Sequence, residues 1–178
     1  ILKAMAAWSG FAAEDYDSIF ITLDKMDKIG LDGVAKELAE EGYAQDTIDQ
    51  YLGLFAMLAD KKDVAEGGSC LSETLGEALD PAAAESMKEI AAAVNAAKEA
   101  DFALVFDPTL VRGMSYYTGT IFEIAIPEFG GSCGCGGRYD EMIGKCPGPN
   151  VPDGGFAIGF AGHILHWMEW VLEGTKRH

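Results

Sequence analysis

The sequence predicts an α+β protein in which a helical segment precedes an antiparallel sheet, and three observations carry that expectation. From Leu31 to Ala100 apolar residues recur at spacings of three and four, the period of helices that each bury one stripe. After Asp101 the period shortens to alternation, and β-branched and aromatic residues take over. Glycine shifts at the same point: 14 of the 22 glycines lie after Asp101.

Within Asp17–Ile29 the apolar run Ile19-Phe20-Ile21-Thr22-Leu23 precedes the charged Asp24-Lys25-Met26-Asp27-Lys28, which reads as a strand or buried turn leading into a polar connector. Val34 and Leu38 begin the first helical stripe, and Gly42 is placed to stop that helix. Ile48, Tyr51, Leu52, Phe55 and Leu58 make the second stripe, Leu71, Leu75 and Leu79 the third, and Met87, Ile90, Val94 and Ala97 the fourth. Asp80-Pro81 supplies an N-cap and first helical residue ahead of an alanine-rich run.

Beyond Asp101, Phe102, Leu104 and Phe106 alternate with Ala103 and Val105, and Thr120–Ile126 is rich in strand formers. Both read as antiparallel strands, with Tyr116 to Gly119 between or on them. Gly130–Gly137 reads as a tight turn into Arg138-Tyr139-Asp140, followed by a loop with Pro147, Pro149 and Pro152. Gly155–Phe160 reads as a further strand. Ile164, Trp167, Met168, Val171 and Leu172 then form a last helical stripe that ends at Gly174.

At 178 residues the chain is long enough to bury about 70% of its unfolded surface without disulfide or metal staples. It holds 13 basic and 29 acidic residues, a net charge of −16. That balance argues against a free-standing binder of nucleic acid or anionic membrane, whose affinity comes largely from Lys/Arg clusters. Residues 1–100 carry 8 basic and 20 acidic side chains, residues 101–178 only 5 and 9, so an anionic ligand would prefer the second part. No apolar run approaches the roughly 20 residues that span a bilayer. The first residue is Ile1 and no signal-peptide layout follows it, so we expect a cytoplasmic protein and a chain that begins inside a longer one. Cys70, Cys133, Cys135 and Cys146 are expected to be reduced thiols; lacking a paired CxxC, they predict no metal site.

Two segments could carry chemistry. In Leu110-Val111-Arg112-Gly113-Met114-Ser115-Tyr116-Tyr117-Thr118-Gly119-Thr120, alternation along a strand puts Arg112, Met114 and Tyr116 on one face and Tyr117 on the other, unless Gly113 bends it. A planar guanidinium suits a carboxylate or phosphate, and a tyrosine offers a ring wall with a hydroxyl that donates and accepts. The plain alternative is a surface ion pair for Arg112 and core rings for the tyrosines. In Gly134-Cys135-Gly136-Gly137-Arg138-Tyr139-Asp140 the glycines allow a ligand or second strand close to the backbone, although a tight hairpin explains them nearly as well. Neither a P-loop nor a dinucleotide fingerprint is present. His163 and His166 have no third partner in register and read as solvated or core residues.

With these residues together, the chain resembles the catalytic domain of the histidyl-tRNA synthetases, a class II aminoacyl-tRNA synthetase family. The family pattern L-x-R-G-L-D-Y-Y-T-G-x-x-[FY]-E is matched by Leu110 to Glu123, its G-G-R-Y-D by Gly136 to Asp140, and its L-D-K-L-D-K-I by Leu23 to Ile29. Gly155-Phe156-Ala157-Ile158-Gly159-Phe160 is similar to the start of class II motif 3. The resemblance covers about residues 1–162. It implies that 1–30 and 101–178 belong to the catalytic domain and that 31–100 is the family's helical insertion.

The resemblance further implies that Arg112 contacts both the histidine carboxylate and the α-phosphate of ATP. Tyr116, Tyr117, Tyr139, Gly136 and Gly137 would frame the histidine, and Gly159 would lie beside ATP. L-histidine, ATP with Mg2+ as co-substrate, and tRNA-His are the implied partners, with a homodimer formed by the full-length protein. The chain departs from the pattern at Ser115, where the family has aspartate, and at Ala161-Gly162, where motif 3 has Glu-Arg. Motifs 1 and 2 and an anticodon-binding domain match nothing in these residues. The chain alone is therefore expected neither to bind ATP tightly nor to make histidyl-adenylate, and its apolar C-terminal stripe is expected to promote self-association. A non-catalytic paralogue, such as the histidine-sensing regulatory subunit of ATP phosphoribosyltransferase, is the competing reading. Ser115 and the missing arginine suit it, whereas the insertion and the Leu23–Ile29 match suit the ligase. A free-standing interaction domain is the third.

Overall fold

Six helices and a three-stranded antiparallel sheet make up a computed structural model that describes residues 1–111, 117–126, 131–141 and 152–159. The chain divides into two compact units, Ile1–Met114 and Ser115–His178, taken separately below.

The first unit contains α1 (Leu2–Ser9), α2 (Tyr16–Leu23), α3 (Met26–Glu40), α4 (Gln45–Leu58), α5 (Val64–Leu75) and α6 (Pro81–Ala97). Residues 1–30 are thus helical and share one core with the helices that follow: Met5, Phe11, Ile19, Phe20 and Leu23 are buried together with Val34, Leu38 and Ile48. The expected strand or turn at Ile19–Leu23 is instead the second half of α2. Alternation would bury Ile21 beside Ile19 and Leu23, yet Ile21 is 61% exposed while Ile19, Phe20 and Leu23, at helical spacing, are buried. In the charged stretch after it, Asp24 and Lys25 form a turn and the helix resumes at Met26. This helix, α3, bends at Gly30, where φ is +68°, and Lys25 pairs with Glu37 beyond the bend.

Local signals set several helix ends. Gly10 and Gly42 adopt left-handed φ values of 98° and 97°. In both cases the glycine N–H and the next residue's N–H donate back to the last turn: Gly42 to Ala39 O and Tyr43 to Leu38 O, Gly10 to Ala7 O and Phe11 to Ala6 O. Asp63 Oδ1 accepts from the N–H groups of Ala65 and Glu66 at the start of α5, and Asp80 Oδ1 accepts from Ala82 ahead of α6, with Pro81 in the first turn.

The predicted stripes on α3, α4 and α5 are buried as expected. On α4, Tyr51 stands edge-on to Phe55 and to Phe11, which meets Tyr43 in the same way, with centroids 5.1–5.3 Å apart. The α6 stripe is only partly used. Ala84 is buried and Met87 packs on the core, but Ile90 is 38% exposed. The alternating Phe102–Phe106 segment is not a strand. Its one ladder-like bond runs from Phe106 N–H to Lys62 O; Phe102 and Val105 are exposed, and the buried Phe106 ring occupies the space where Gly67 lacks a side chain. Alternation makes a strand only where a partner offers backbone groups.

The second unit is a sheet in the order β1 (Ile121–Ile126), β2 (Gly131–Arg138), β3 (Gly154–Ile158), every pairing antiparallel. The strands predicted at Thr120–Ile126 and Gly155–Phe160 are present within a residue or two. Where a turn was expected at Gly130–Gly137, the described residues from Gly131 onward run in the central strand instead. A Cβ at Gly136 would collide with Gly155 O and the Phe122 ring, and one at Gly137 would fall 2.7 Å from Thr120 O, so these glycines serve close strand approach. The last helical stripe, Ile164 to Gly174, together with His163, His166, Cys146, Pro147 and Pro149, lies outside the described residues.

Candidate functional site

The register sorts the sheet into two unlike faces. Phe122, Gly136 and Phe156 form one row across the three strands, and Ile124, Gly134 and Ile158 another. The four large side chains of this face are 42–70% exposed, and Phe122 and Ile124 lean over the two glycines. The intervening rows, Ile121–Gly137–Gly155 and Glu123–Cys135–Ala157, belong to the opposite face.

Two tyrosines stand on that opposite face. A Cβ on Gly137 would strike the Tyr117 ring, and one on Gly155 would collide with the Tyr139 hydroxyl. Gly137 and Gly155 are themselves partners across β2 and β3. The two rings therefore stand side by side over a paired-glycine floor, centroids 6.4 Å apart and planes inclined at 51°.

Backbone and side-chain bonds hold each tyrosine's neighbours. Thr118 N–H donates to Arg138 O and Arg138 N–H to Thr120 O, which carries the β1–β2 pairing back to the residue after Tyr117. Tyr139 N–H donates to Asp153 O at 2.8 Å. Next to Tyr139, Asp140 accepts from Arg138 Nε through both carboxylate oxygens at 2.9 Å, and its own N–H donates to Thr118 Oγ1. The Arg138 guanidinium holds the Asp140 carboxyl below its usual value of 3.8.

Of the residues singled out from the sequence, Tyr117, Tyr139, Gly136, Gly137 and Gly159 are described. The structure brings Tyr117, Tyr139 and Gly137 together. Gly136 lies on the other face, beneath Phe122, so it supports strand approach instead of lining the tyrosine side. Gly159 donates its N–H to Cys133 O at 2.7 Å, so that donor is committed to the sheet. Arg112 and Tyr116 lie outside the described residues. Gly155, Glu123 and Cys135, to which sequence reasoning gave no role, share the face with the tyrosines. Alternation out from Gly137 along β2 would have indicated Cys135, but Gly155 and Glu123 needed the cross-strand register. Among the described residues Cys70 and Cys135 are free thiols, and no helix is long and apolar enough to cross a membrane.

Fold and site define the class: an antiparallel sheet of the class II aminoacyl-tRNA synthetase kind, in a chain that also holds an all-helical unit. The crystal structure of histidyl-tRNA synthetase from Nostoc sp. PCC 7120 is similar over 95% of this chain and 40% of that one, with a TM-score of 0.76 and 26% identity. The family model of histidyl-tRNA synthetase matches residues 1–162. The chain is 42% identical over 165 residues to a histidine–tRNA ligase of Leifsonia xyli subsp. xyli (strain CTCB07), covering 90% of this chain and 37% of that protein. It is 33% identical over 181 residues to the cytoplasmic histidine–tRNA ligase of Arabidopsis thaliana, covering 99% and 20%. The chain belongs to the histidyl-tRNA synthetase family. It spans 20–40% of the length of these three relatives, each of which is named as a ligase or synthetase and none as a regulatory subunit.

Proposed function

We propose that this chain forms part of the histidine site of a histidine–tRNA ligase, which activates L-histidine with ATP and transfers it to tRNA-His. The observation that supports this reading is the Tyr117–Tyr139 pair over the Gly137–Gly155 floor. The two adjacent rings offer an aromatic wall for a flat imidazole, and its two nitrogens need one donor and one acceptor, which phenol hydroxyls supply.

In the activation step a carboxylate oxygen of histidine attacks the α-phosphorus of ATP, forming the acyl-phosphate bond of histidyl-adenylate as pyrophosphate leaves. Negative charge accumulates where the two anions meet. Arg112, the arginine of the family pattern, is the residue we assign there, because a fixed guanidinium stabilises that charge most in the transition state. Mg2+ enters with ATP as part of the co-substrate. Gly159 has no free N–H for a phosphate, so its part toward ATP is the space left by its missing side chain. A homodimer working in the cytoplasm completes the reading.

Full-length protein should bind L-histidine in calorimetry and show histidine-dependent ATP–pyrophosphate exchange, while the 178-residue chain alone shows none. Histidine binding by the full-length protein without ATP binding would instead support the regulatory paralogue. Exchange by the isolated chain would overturn the assignment of the remaining ATP contacts to residues outside it.

A further inference from the structure

The chain that leads to Arg112 is first exposed and then, within a few residues, held on the helical unit. Phe102 and Val105 are 45% and 52% exposed, whereas Phe106, Pro108 and Val111 are buried, Phe106 and Val111 within the core that the helices build. Phe106 N–H donates to Lys62 O at 2.8 Å, just ahead of α5. Between the buried side chains, Asp107 Oδ1 accepts from the N–H and from the hydroxyl of Thr109, at 2.8 Å and 2.6 Å, and closes a turn at Pro108-Thr109. Anchoring therefore begins at Phe106 and runs to Val111, the residue before Arg112.

The first anchor depends on a notch in α5. Gly67 is buried inside that helix, where an alanine would favour the helical backbone more than glycine does. A Cβ at this position would collide with the Phe106 ring. The missing side chain is therefore the seat of the ring, and the helix gives up some of its own stability to provide it. The neighbouring Gly68 faces Met87 of α6 instead, so the two glycines have separate duties.

We propose that Phe106, seated in the Gly67 notch of α5, is a positioning residue for Arg112, so that the helical unit sets the rate of adenylate formation through this seat. This rests on the role assigned to Arg112 above and adds to it the element that holds the arginine. An arginine carries its charge at the end of a long stem, and the guanidinium is placed only as well as the backbone that bears it. The anchored run from Phe106 to Val111 supplies that backbone. A shift on the scale of an ångström in a charged group that must meet two anions lowers turnover by about 100-fold. Because the contact strengthens in the transition state, the loss falls on kcat more than on KM.

The test is histidine-dependent ATP–pyrophosphate exchange by the full-length protein, with kcat expressed per active site. Sites are counted from the L-histidine stoichiometry in calorimetry, so a partly folded sample does not imitate a slow one. Gly67→Ala favours the helix while displacing the ring, and should lower kcat at least about tenfold with the KM values for histidine and ATP within about threefold of the parent. Phe106→Ala should do the same, and Phe106→Leu, which refills part of the notch, should recover part of the loss. Adding Gly67→Ala to Phe106→Ala should cost nothing further, since no ring is left to displace. Parental kcat per site in either single alanine variant, a loss confined to KM, or an additive double variant overturns the proposal. Parental exchange by Arg112→Ala overturns the role assigned to Arg112, and this proposal with it.

Discussion

The rings of Tyr117 and Tyr139 stand 6.4 Å apart over Gly137 and Gly155, two glycines that are partners across neighbouring strands. The tyrosines come from segments more than 20 residues apart, and each rests where one glycine of the pair has no side chain. If their hydroxyls hold the imidazole, removing either should weaken histidine binding. Tyr117→Phe and Tyr139→Phe in the full-length protein should each lose about fivefold to tenfold in affinity, the worth of one hydrogen bond of about 1 kcal/mol. Calorimetry that shows unchanged affinity in both would remove the hydroxyls from recognition.

The floor is as testable as the rings. Gly155→Ala puts a methyl group into the Tyr139 hydroxyl, and Gly137→Ala puts one into the Tyr117 ring and against Thr120 O. Either change displaces a site side chain on the scale of an ångström, enough to cost about 100-fold in turnover. Exchange should fall by that order while the far-UV helical signal stays at the parental level. Parental exchange by both variants would show that the rings can sit elsewhere.

In the helical unit the Tyr51 hydroxyl is buried without a hydrogen-bond partner among the described residues, and burial pushes its pKa up. The ring is held edge-on by Phe11 and Phe55. Tyr51→Phe keeps that packing and removes the orphaned group, so stability should rise by about 1 kcal/mol in urea titration. A loss of similar size would reveal a partner for the hydroxyl.

Glu41 ties the end of α3 to α2: its two carboxylate oxygens accept from Ser18 Oγ at 3.0 Å and Thr22 Oγ1 at 3.1 Å. Thr22 is buried, so its hydroxyl would be left unsatisfied. Glu41→Ala should lower the urea midpoint by the equivalent of about 1 kcal/mol. Thr22→Val combined with Glu41→Ala should cost less than the sum of the two single changes.

Asp140 supplies a pH signature. Its folded value lies below 3.8 because Arg138 hydrogen-bonds the carboxylate. A carboxylate with a depressed folded pKa adds stability that is fully present above the unfolded value of 3.8 and is lost as pH falls through the lowered value. Carbon-detected NMR should show Asp140 titrating below its usual value in the parent and moving back toward it in Arg138→Gln. Identical titrations would sever the pair.

The stripe Ile48, Tyr51, Leu52, Phe55, Leu58 was readable because a helix repeats on a length that a short window of sequence contains. The caps Asp63 and Asp80, of which the second was anticipated, and the stop at Gly42 are local for the same reason. Ile19–Leu23 was misread because five apolar residues fit either period, and only the exposure of Ile21 separates them. The alternating Phe102–Phe106 run failed in the other direction, its pattern being right and its partner strand absent from the described residues. Of the site, the Tyr117 and Tyr139 motifs were legible as residue types at family spacing. The separate duties of Gly136 and Gly137, neighbours on opposite faces, were not.

By itself the sequence determined the α+β class, the helical stripes and stops, and membership of the family through motifs that run continuously along the chain. Only the tertiary structure decided that the glycine-rich run is a central strand, that Gly137 meets Gly155, and that Glu123 shares a face with the tyrosines. These are facts of register. A one-residue slip between strands sends every side chain to the other face, and register is chosen by contacts between segments distant in the chain. Glycine compounds the difficulty: its lack of a side chain serves a turn and a close strand crossing equally, and the atoms that would fill the space belong to other strands.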